Sequence, residues 1–497
     1  MNTIQMYDAQ ADSINIEDIA TNDNNRIILR RMKRNNPDDD ALYIQNLHDQ
    51  DGEACEDYVP EGAHDMGWLG YFIGKNDQLR QLSLSAFTPT SGTSIAEVLE
   101  PFFMGVNNNK SIRELNFEGI DPLGGRIFTM LGPFFENCST LIDLTLIESH
   151  LGDVGSRLLA LAIGSSKHKS LKTVALIGSD ISDEGSVDII TALSMHSNLK
   201  QLDIIGNSLS TKGCTALSTL LRCSATRLRK LYLTNNEIND EGIDALVPVL
   251  KNCSHLQTLV LSNNFAVSLR GWQQLATILE APNCNNLEEL YIGIGRNAVD
   301  DEVLTFFTNA LVNNISLVKL NLNGYQQITP KGWQILTDLL CNTSSVNSTF
   351  LSNHALSCIT GGVPINMNTD QINTTSHLLI LNQRINKREV STIKILQYHN
   401  DINMTPFFEW EFKVLPLIVD WLERASSIIM PDFVPNIGPK KLSSIYQFVR
   451  GMPVEYVETR LKKELEDIKE ELPKLDQRKL LLEERKRSIM DRLGQRQ

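Results

Sequence analysis

The chain repeats one arrangement of apolar and polar positions, L-x-x-L-x-L-x-x-N/S-x-I/L, about every 30 residues. Because successive side chains of a strand point to opposite sides, the L-x-L alternation predicts a short strand with one buried face. The clearest copies of this phrase begin at Leu171, Leu199, Leu228 and Leu256. Weaker copies begin at Leu79, Ile112, Leu141, Leu287, Leu317 and Val346, so ten units cover roughly residues 78 to 360.

A helix is predicted after each strand. Residues that favour helix N-termini follow the strands at Ser182, Ser210, Asn239 and Thr329. Thr329 precedes a proline, whose fixed backbone angle suits the first helical position. In one unit the apolar residues recur at helical spacing, at Ile243, Leu246, Val249 and Leu250. This spacing predicts a helix face packed on the strands, so each unit is expected to be one βα turn.

The asparagine that follows each strand is predicted to be structural. Asn207, Asn236 and Asn264 occupy this place, and we expect their side chains to turn inward and bond the backbone of neighbouring loops. Parallel strands stack about 4.8 Å apart, whereas packed helices need roughly 10 Å. An array with its helices on one side therefore bends into a horseshoe whose inner, concave wall is the sheet.

The stretch LRKLYLTNNEINDEG, residues 228–242, resembles the repeats of ribonuclease-inhibitor-type leucine-rich-repeat proteins. The resemblance covers over half of the chain and implies an α/β fold, a leucine-rich-repeat solenoid of about ten βα units. Proteins of this class include inhibitors, GTPase-activating proteins and innate-immune sensors, so the resemblance does not specify a function. The inhibitor itself is far richer in cysteine, and ribonuclease inhibition is not implied.

The N-terminal segments lack the phrase. Residues 1–40 have few apolar side chains and carry a basic run from Arg30 to Arg34, which predicts a flexible tail. The run also resembles a nuclear-import signal, although such runs are common by chance. Residues 41–77 contain the segments ALYI and GWLGYFIGK. We expect these to form an incomplete strand and a helix, the N-terminal cap of the array.

Two segments follow the array. Residues 361–385 lose the phrase and are predicted to be a linker. Residues 386–452 are predicted to be a helical C-terminal cap, with an apolar helix face formed by Trp410, Val414, Leu417 and Trp421. The alternative is an aromatic docking module for a partner, but a cap that seals the exposed last repeat is favoured.

Residues 453–497 are predicted to be a charged helix. Apolar residues stand in heptad phase at Leu461, Leu465, Ile468, Leu472, Leu475, Leu482, Ile489 and Leu493. This pattern is typical of a coiled coil and would allow self-association through residues 455–497. Pro473 in mid-run, with Lys479 and Lys486 at seam positions, argues against a long uninterrupted coil. A kinked helix or a helical hairpin therefore stays open.

The net charge of −14 is concentrated near the N-terminus, because residues 1–66 carry fifteen Asp and Glu against five Arg and Lys. The long middle of the chain shows no clustered basic surface, so nucleic acid is not an expected partner. The N-terminus lacks the pattern of a secretory signal, and no eighteen apolar residues run together. We therefore expect no membrane contact and a cytoplasmic location, with the nucleus as the alternative.

Signals for catalysis are absent from the sequence. It contains no HExxH, no CxxC pair and no Gly-x-Ser-x-Gly, and its nine histidines are scattered, so we expect no enzyme, no cofactor and no metal site. The eight cysteines are expected to be reduced thiols. His64 and Asp65 lie beside Trp68, but no nucleophile or third partner can be placed near them. They are expected to belong to the N-terminal cap.

The candidate functional surface is the concave face, formed by the residues between the inward leucines. Its middle positions are Thr145, Ala175, Asp203, Tyr232, Val260, Tyr291, Asn321 and Phe350. We predict a partner-binding strip mainly of Tyr232, Val260 and Tyr291, with Ile177 and Ile205 at neighbouring positions. Tyrosine anchors are favoured at interfaces, and large exposed apolar patches are uncommon without a use. The alternative is that these residues simply suit strands.

Two functional hypotheses follow. The first is a non-catalytic protein–protein interaction scaffold that binds a partner on the concave face. The second is a regulator of a small GTPase, which would present loop side chains to a nucleotide site. No residue of this chain can be matched to that second role.

Overall fold

The structure, a computed structural model, describes residues 3–45, 57–85, 94–119, 126–165, 169–222, 227–280, 286–293, 300–322, 328–360, 369–384, 386–399 and 454–494. The strands are β1 (Ala41–Gln45), β2 (Gln81–Ser85), β3 (Glu114–Glu118), β4 (Asp143–Ile147), β5 (Thr173–Ile177), β6 (Gln201–Ile205), β7 (Lys230–Tyr232), β8 (Thr258–Val260), β9 (Glu289–Tyr291), β10 (Lys319–Asn321) and β11 (Cys358–Thr360). Within the described residues they form one parallel sheet in the order of the chain, from β1 to β11.

Helices alternate with these strands. The helices are α1 (Thr3–Gln10), α2 (Asp23–Arg34), α3 (Ala63–Lys75), α4 (Ile95–Val106), α5 (Arg126–Met130), α6 (Gly132–Asn137), α7 (Gly152–Ser165), α8 (Asp183–Leu193), α9 (Thr211–Arg222), α10 (Asp240–Leu250), α11 (Leu269–Ala276), α12 (Asp301–Leu311), α13 (Pro330–Leu340), α14 (Val346–Phe350), α15 (Thr369–Asn382), α16 (Lys387–Tyr398) and α17 (Val454–Gly494). Short 3-10 helices span Ile16–Asp18 and Thr277–Glu280. The open parallel sheet with a helix after each strand confirms the α/β leucine-rich-repeat horseshoe.

The chain divides into two compact units. The first comprises residues 1–342 and 351–387 and contains the whole sheet. The second comprises residues 343–350 and 388–497, which include α14 and α17. The repeat array and the charged helix therefore belong to different units.

The repeat phrase builds the core of the array as predicted. Leu231 and Leu259, the inward residues of β7 and β8, are fully buried. Asn264 is also fully buried: its Nδ2 donates to the Leu233 and Leu261 carbonyls at 2.9 and 2.8 Å, and its Oδ1 accepts from Ile238 N at 3.2 Å. Such a buried amide joins one unit to the next, because it satisfies backbone groups that the short strands leave unpaired. The prediction for the phrase asparagines is confirmed.

Most of the predicted helix starts are confirmed. Ser182, Asn239 and Thr329 are N-caps whose side chains accept backbone N–H groups of α8, α10 and α13. α9 begins differently, because Asp183 of the preceding unit accepts from Ser210 N at 2.7 Å and from Gly213 N at 2.8 Å. An aspartate in the first turn of one helix thus caps the next helix of the stack.

The same device recurs along the array. Asp240 accepts from Ser268 N, and Asp301 accepts from Thr329 N, both at 2.8 Å. Each aspartate is the first residue of its helix, where a negative charge also favours the helix dipole. These aspartates tie consecutive units together on the helical side, as the asparagines do beside the sheet.

The structure differs from the flexible tail predicted for residues 1–40. Residues 3–34 contain α1 and α2, and Ile28, Leu29 and Met32 of α2 are buried. The low apolar content does not mean disorder here, because charged residues of the basic run form ion pairs. Arg30 pairs with Glu17, and Arg31 pairs with the buried Asp39. Three apolar positions on one helix face are enough to dock α2.

The N-terminal cap contains the predicted strand and helix. β1 pairs with β2 along its whole length, and α3 covers GWLGYFIGK. Asp65 is buried and structural: it accepts from Gly62 N at 2.6 Å, from Glu61 N at 2.9 Å and from the Tyr58 hydroxyl at 2.9 Å. These bonds fix the start of α3, so Asp65 has a structural role there.

The strand of the last repeat lies at a different place in the chain from the one that the sequence predicts. The copy of the phrase placed at Val346 falls on α14, and the strand that pairs with β10 is β11, at Cys358–Thr360. Asn353 explains the error. It accepts from Ala355 N and Leu356 N, both at 2.9 Å, so it forms the turn before a strand rather than the turn after one.

The segment predicted as a linker, residues 361–385, also differs. α15 occupies Thr369–Asn382, and Leu378, Leu381 and Asn382 on it are buried. Asn382 Nδ2 donates to Leu356 O at 2.7 Å. β11 and α15 therefore form the last βα unit, in place of the copy predicted at Val346.

The C-terminal segments are described in part. In α16, side chains at residues 390–397 are buried. Trp410, Val414, Leu417 and Trp421, the predicted apolar face of the cap, lie outside the described residues. α17 runs through Pro473 as one helix of 41 residues. The structure thus has a continuous helix here, not a hairpin.

Candidate interaction surface

The concave face is a grid, because the parallel strands align without a register shift. Asp203 pairs with Tyr232, Tyr232 with Val260, and Val260 with Tyr291. The structure therefore places the three main residues of the predicted strip side by side on β7, β8 and β9. We call Tyr232, Val260 and Tyr291 the central strip.

The two isoleucines lie in another column of the grid. Ile177 pairs with Ile205, and Ile147 pairs with Ile177, at the ends of β4, β5 and β6. All three side chains are half-buried. The strip and the isoleucines are thus two adjacent groups rather than one row. Phe350, predicted as the last middle residue, lies on α14, and Thr360 pairs with Asn321 instead.

The central strip is less exposed than its sequence suggests. Val260 is only 7% exposed, between two half-buried tyrosines. The Tyr291 hydroxyl donates to Glu289 Oε2 at 2.9 Å, and Lys319 Nζ lies 5.1 Å from the centre of the Tyr291 ring. These contacts hold the Tyr291 ring in place, and a pre-ordered ring loses little entropy when a partner packs on it.

The feature that sequence reasoning missed is Asp203. It precedes Tyr232 in the middle column and is 9% exposed. Its Oδ2 accepts from Gln201 Nε2 at 2.9 Å, whereas its Oδ1 has no hydrogen-bond partner. Burial raises the pKa of the Asp203 carboxyl, and burial together with this carboxyl raises the pKa of Tyr232. A buried oxygen without a donor costs free energy, which a donor on a partner would recover.

A signal for Asp203 was present in the sequence. It is the acidic residue among the apolar and aromatic middle positions Ala175, Tyr232 and Val260. Burial is what turns that residue type into a candidate site, and the phrase alone does not predict burial on the concave face.

Basic side chains line one edge of the concave face. Arg113, Lys172, Lys200 and Arg229 stand at the position before β3, β5, β6 and β7, and all four are exposed. Backbone bonds of 2.7 Å from Lys200 N to Lys172 O and from Arg229 N to Lys200 O put the last three on neighbouring rungs, whereas Ile142 separates Arg113 from Lys172. Residues about 30 apart in the sequence thus form a row, which the charge distribution along the chain did not predict. An anionic group would be attracted to this edge.

Two surface cavities lie on the helical side of the array. One, of about 480 Å³, is lined by residues of α8 and α9 such as Ile190 and Thr215. The other, of about 510 Å³, is lined by residues of α7 and α8 such as Leu161 and Thr191. Neither is lined by a residue of the central strip.

Among the described residues, no group of three or more His, Cys, Asp or Glu side chains could hold a metal ion. No helix in the described part of the chain is long and apolar enough to cross a membrane.

Comparison with known proteins gives matches among solved structures alone. No family model and no curated protein sequence matches the chain. A chain in the crystal structure of the Rad7 and Elc1 complex in yeast is 15% identical, with 75% of this chain and 83% of that chain covered and a TM-score of 0.44. An internalin from Listeria monocytogenes is 16% identical, with 73% and 95% covered and a TM-score of 0.37. The fold assignment rests on the sheet and repeats described above.

Proposed function

We propose that the protein is a non-catalytic scaffold whose concave face binds a protein partner through the central strip. Asp203 carries this proposal. A carboxylate oxygen that is buried beside an ordered tyrosine and lacks a donor is the kind of group that a cationic side chain would complete.

The partner that would fit this surface presents an arginine or lysine side chain. Its charged end would donate to Asp203 Oδ1, and its aliphatic stem would pack on Tyr232 and Val260. A cation over a tyrosine face is also favourable, as Lys319 over Tyr291 already shows within the chain. Apolar side chains of the partner would then cover Tyr291, which is half-buried before binding.

The first experiment is cross-linked capture from source-cell lysate with the full-length chain. The variant Tyr232→Ala, Val260→Ala, Tyr291→Ala is compared with wild type. The control variant Ser83→Ala, Asn116→Ala, Thr145→Ala truncates three side chains of the same column on β2, β3 and β4. Circular dichroism confirms that all three proteins are folded.

We expect one protein to be captured by wild type and by the control but not by the strip variant. With that protein purified, Asp203→Asn should weaken binding by roughly tenfold or more, because a charge-assisted hydrogen bond is lost. Equal capture by all three forms contradicts the proposal. Equal affinity of Asp203→Asn and wild type contradicts the cationic contact.

Three finer assignments remain proposals alongside this one. A helix after each strand and units of about 30 residues favour the ribonuclease-inhibitor-like subtype. A cytoplasmic location and self-association through residues 455–497 are consistent with a scaffold. In a GTP-hydrolysis assay with small GTPases, a scaffold leaves the rate unchanged, and acceleration would favour the GTPase-regulator alternative.

A further inference from the structure

The helix α17 exposes a line of large apolar side chains. Leu465 and Ile468 are each 53% exposed, Leu472 is 56% exposed and Leu475 is 58% exposed. Leu482 continues the line at 59% exposure. Leu480 and Leu481 are exposed as well, at 64% and 70%, but they stand outside this line. The line gains free energy when another helix covers it, and exposed apolar surfaces of this kind are uncommon without a use.

The line follows a heptad repeat. Leu465 and Leu472 take position a, with Lys479 at the next a position. Ile468, Leu475 and Leu482 take position d. Pro473 falls at position b, outside the seam, so its ring does not interrupt the packing of a and d residues. The apolar seam therefore spans residues 465–482 of a continuous helix.

Charges beside the seam change sign at its centre. At position e, Lys469 precedes Asp476 by one heptad; at position g, Glu471 precedes Arg478 by one heptad. All four side chains are exposed. The helix is therefore basic then acidic along one flank, and acidic then basic along the other, with the reversal next to Pro473.

We propose that α17 pairs with α17 of a second copy of this chain in an antiparallel coiled coil centred beside Pro473. In an antiparallel pair, a residues face d residues, e faces e, and g faces g. In the centred register, Leu472 faces Leu475 of the second copy, and Leu465 faces Leu482. The same register sets Lys469 against Asp476 and Glu471 against Arg478.

The flanking charges select this register among antiparallel ones. A shift of one heptad in either direction sets Lys469 against Lys469 of the second copy, or Asp476 against Asp476. Like charges at these positions destabilise the pair. The centred register makes every one of these contacts attractive.

The parallel arrangement is disfavoured by the seam itself. In a parallel pair in register, a residues face each other, so Lys479 would meet Lys479 of the second copy inside the seam. Position g would face the e position five residues later, which sets Glu471 against Asp476. The antiparallel pair places Lys479 opposite Ile468 instead, and no like charges face each other.

The test is sedimentation equilibrium of the full-length chain at about 1 to 100 μM, a range suited to weak dimers. Wild type is expected to form dimers, and Leu472→Asp with Leu475→Asp is expected to be a monomer. Asp476→Lys is expected to weaken dimerisation by about tenfold, because two symmetric attractive pairs become repulsive. The combined variant Lys469→Glu, Asp476→Lys is expected to restore it.

The control is Glu484→Lys, which makes the same charge change at position f, away from the seam. It is expected to leave dimerisation unchanged. A wild-type chain that stays monomeric at 100 μM, or a dimer that survives the two aspartates in the seam, overturns the proposal. Tighter dimerisation of Asp476→Lys overturns the antiparallel orientation, because only the parallel pair gains from removing Asp476.

Discussion

Asp203 lies where its carboxylate is buried, which destabilises the native state. Since burial raises its pKa above the value in the unfolded chain, the native state binds a proton there more readily than the unfolded state does. The free-energy cost of Asp203 is therefore fully present above the native pKa and disappears as the pH falls below roughly 4, the ordinary range of aspartate.

The first prediction concerns Asp203→Asn. The neutral amide keeps an oxygen that can accept from Gln201 and removes the buried charge, so the variant should be more stable than wild type at pH 7, by up to about 1 kcal/mol. The gain should vanish near pH 4. Chemical denaturation at both pH values measures it, with Asp143→Asn, half-buried on the same face, as the control. A less stable variant at pH 7 would contradict the assigned cost.

The second prediction concerns His196, a buried histidine that follows α8. Burial lowers its pKa to about 4, and its Nε2 lies 3.3 Å from Ile163 O of the preceding unit. The native state keeps this ring neutral, so stability is fully present above pH 6.5 and is lost as the pH falls from 6.5 towards 4. The loss amounts to at most about 3 kcal/mol.

His196→Gln should flatten this part of the pH profile of unfolding free energy. His64→Gln replaces an exposed histidine and should leave the profile as in wild type. If the unfolding free energies of wild type and His196→Gln fall equally between pH 6.5 and 4, the prediction of a neutral buried ring is wrong.

At the scale of elements, consecutive helices are joined through a close approach of an aspartate to a glycine. Gly332 in α13 lies so near Asp301 of α12 that a Cβ at this position would collide with Asp301 Oδ1. The same carboxylate accepts from Thr329 N at 2.8 Å and from Thr329 Oγ1 at 2.5 Å. A side chain at Gly332 would therefore break the link between two units.

The third prediction follows. Gly332→Ala should lower the unfolding free energy by about 1 to 3 kcal/mol, the usual cost of overpacking, despite the better helix propensity of alanine. Gly164→Ala in α7 is the matched control, because its Cβ would meet Ala192 Cβ at an ordinary 4.0 Å. That variant should be as stable as wild type or more stable by up to about 1 kcal/mol. Equal effects of the two substitutions would contradict the Asp301 link.

Elements were predictable from the sequence where the phrase is complete. β5 to β8 begin within the four clearest copies, since alternating leucines report directly on a half-buried strand. β11 was not, because NHAL at residues 353–356 has the same turn as NISL at residues 314–317, where Asn314 accepts from Leu317 N at 2.8 Å. Comparison of these two segments would have found the last unit.

The candidate site was predictable in position but not in character. Periodicity alone puts Tyr232, Val260 and Tyr291 on neighbouring strands, because a parallel ladder without bulges keeps equivalent residues aligned. Periodicity does not predict how deeply Val260 is buried between the two tyrosines, or that Asp203 is buried. Those depend on the sizes of neighbouring side chains, which the phrase leaves free.

At the scale of the whole molecule, the N-terminal and C-terminal segments differ in how far their side chains are buried. Near the N-terminus, the Tyr7 and Trp68 rings pack edge to face at 4.7 Å, the Tyr71 hydroxyl donates to Asp8 at 2.8 Å, and Asn76 bonds Met32 O. The described part of residues 1–40 thus covers the aromatic side of α3. On α17, by contrast, the described side chains are exposed.

The fourth prediction compares two deletions of similar length. Removal of residues 1–40 should lower the thermal midpoint of the array markedly, because a repeat array needs a cap and Trp68, which is 1% exposed, would lose its cover. Removal of residues 454–497 should leave the midpoint unchanged, since the described side chains of α17 are exposed. Thermal denaturation followed by circular dichroism measures both. An unchanged midpoint after removal of residues 1–40 would contradict the role of this segment as a cap. A lower midpoint after removal of residues 454–497 would mean that α17 contributes to the stability of the repeats.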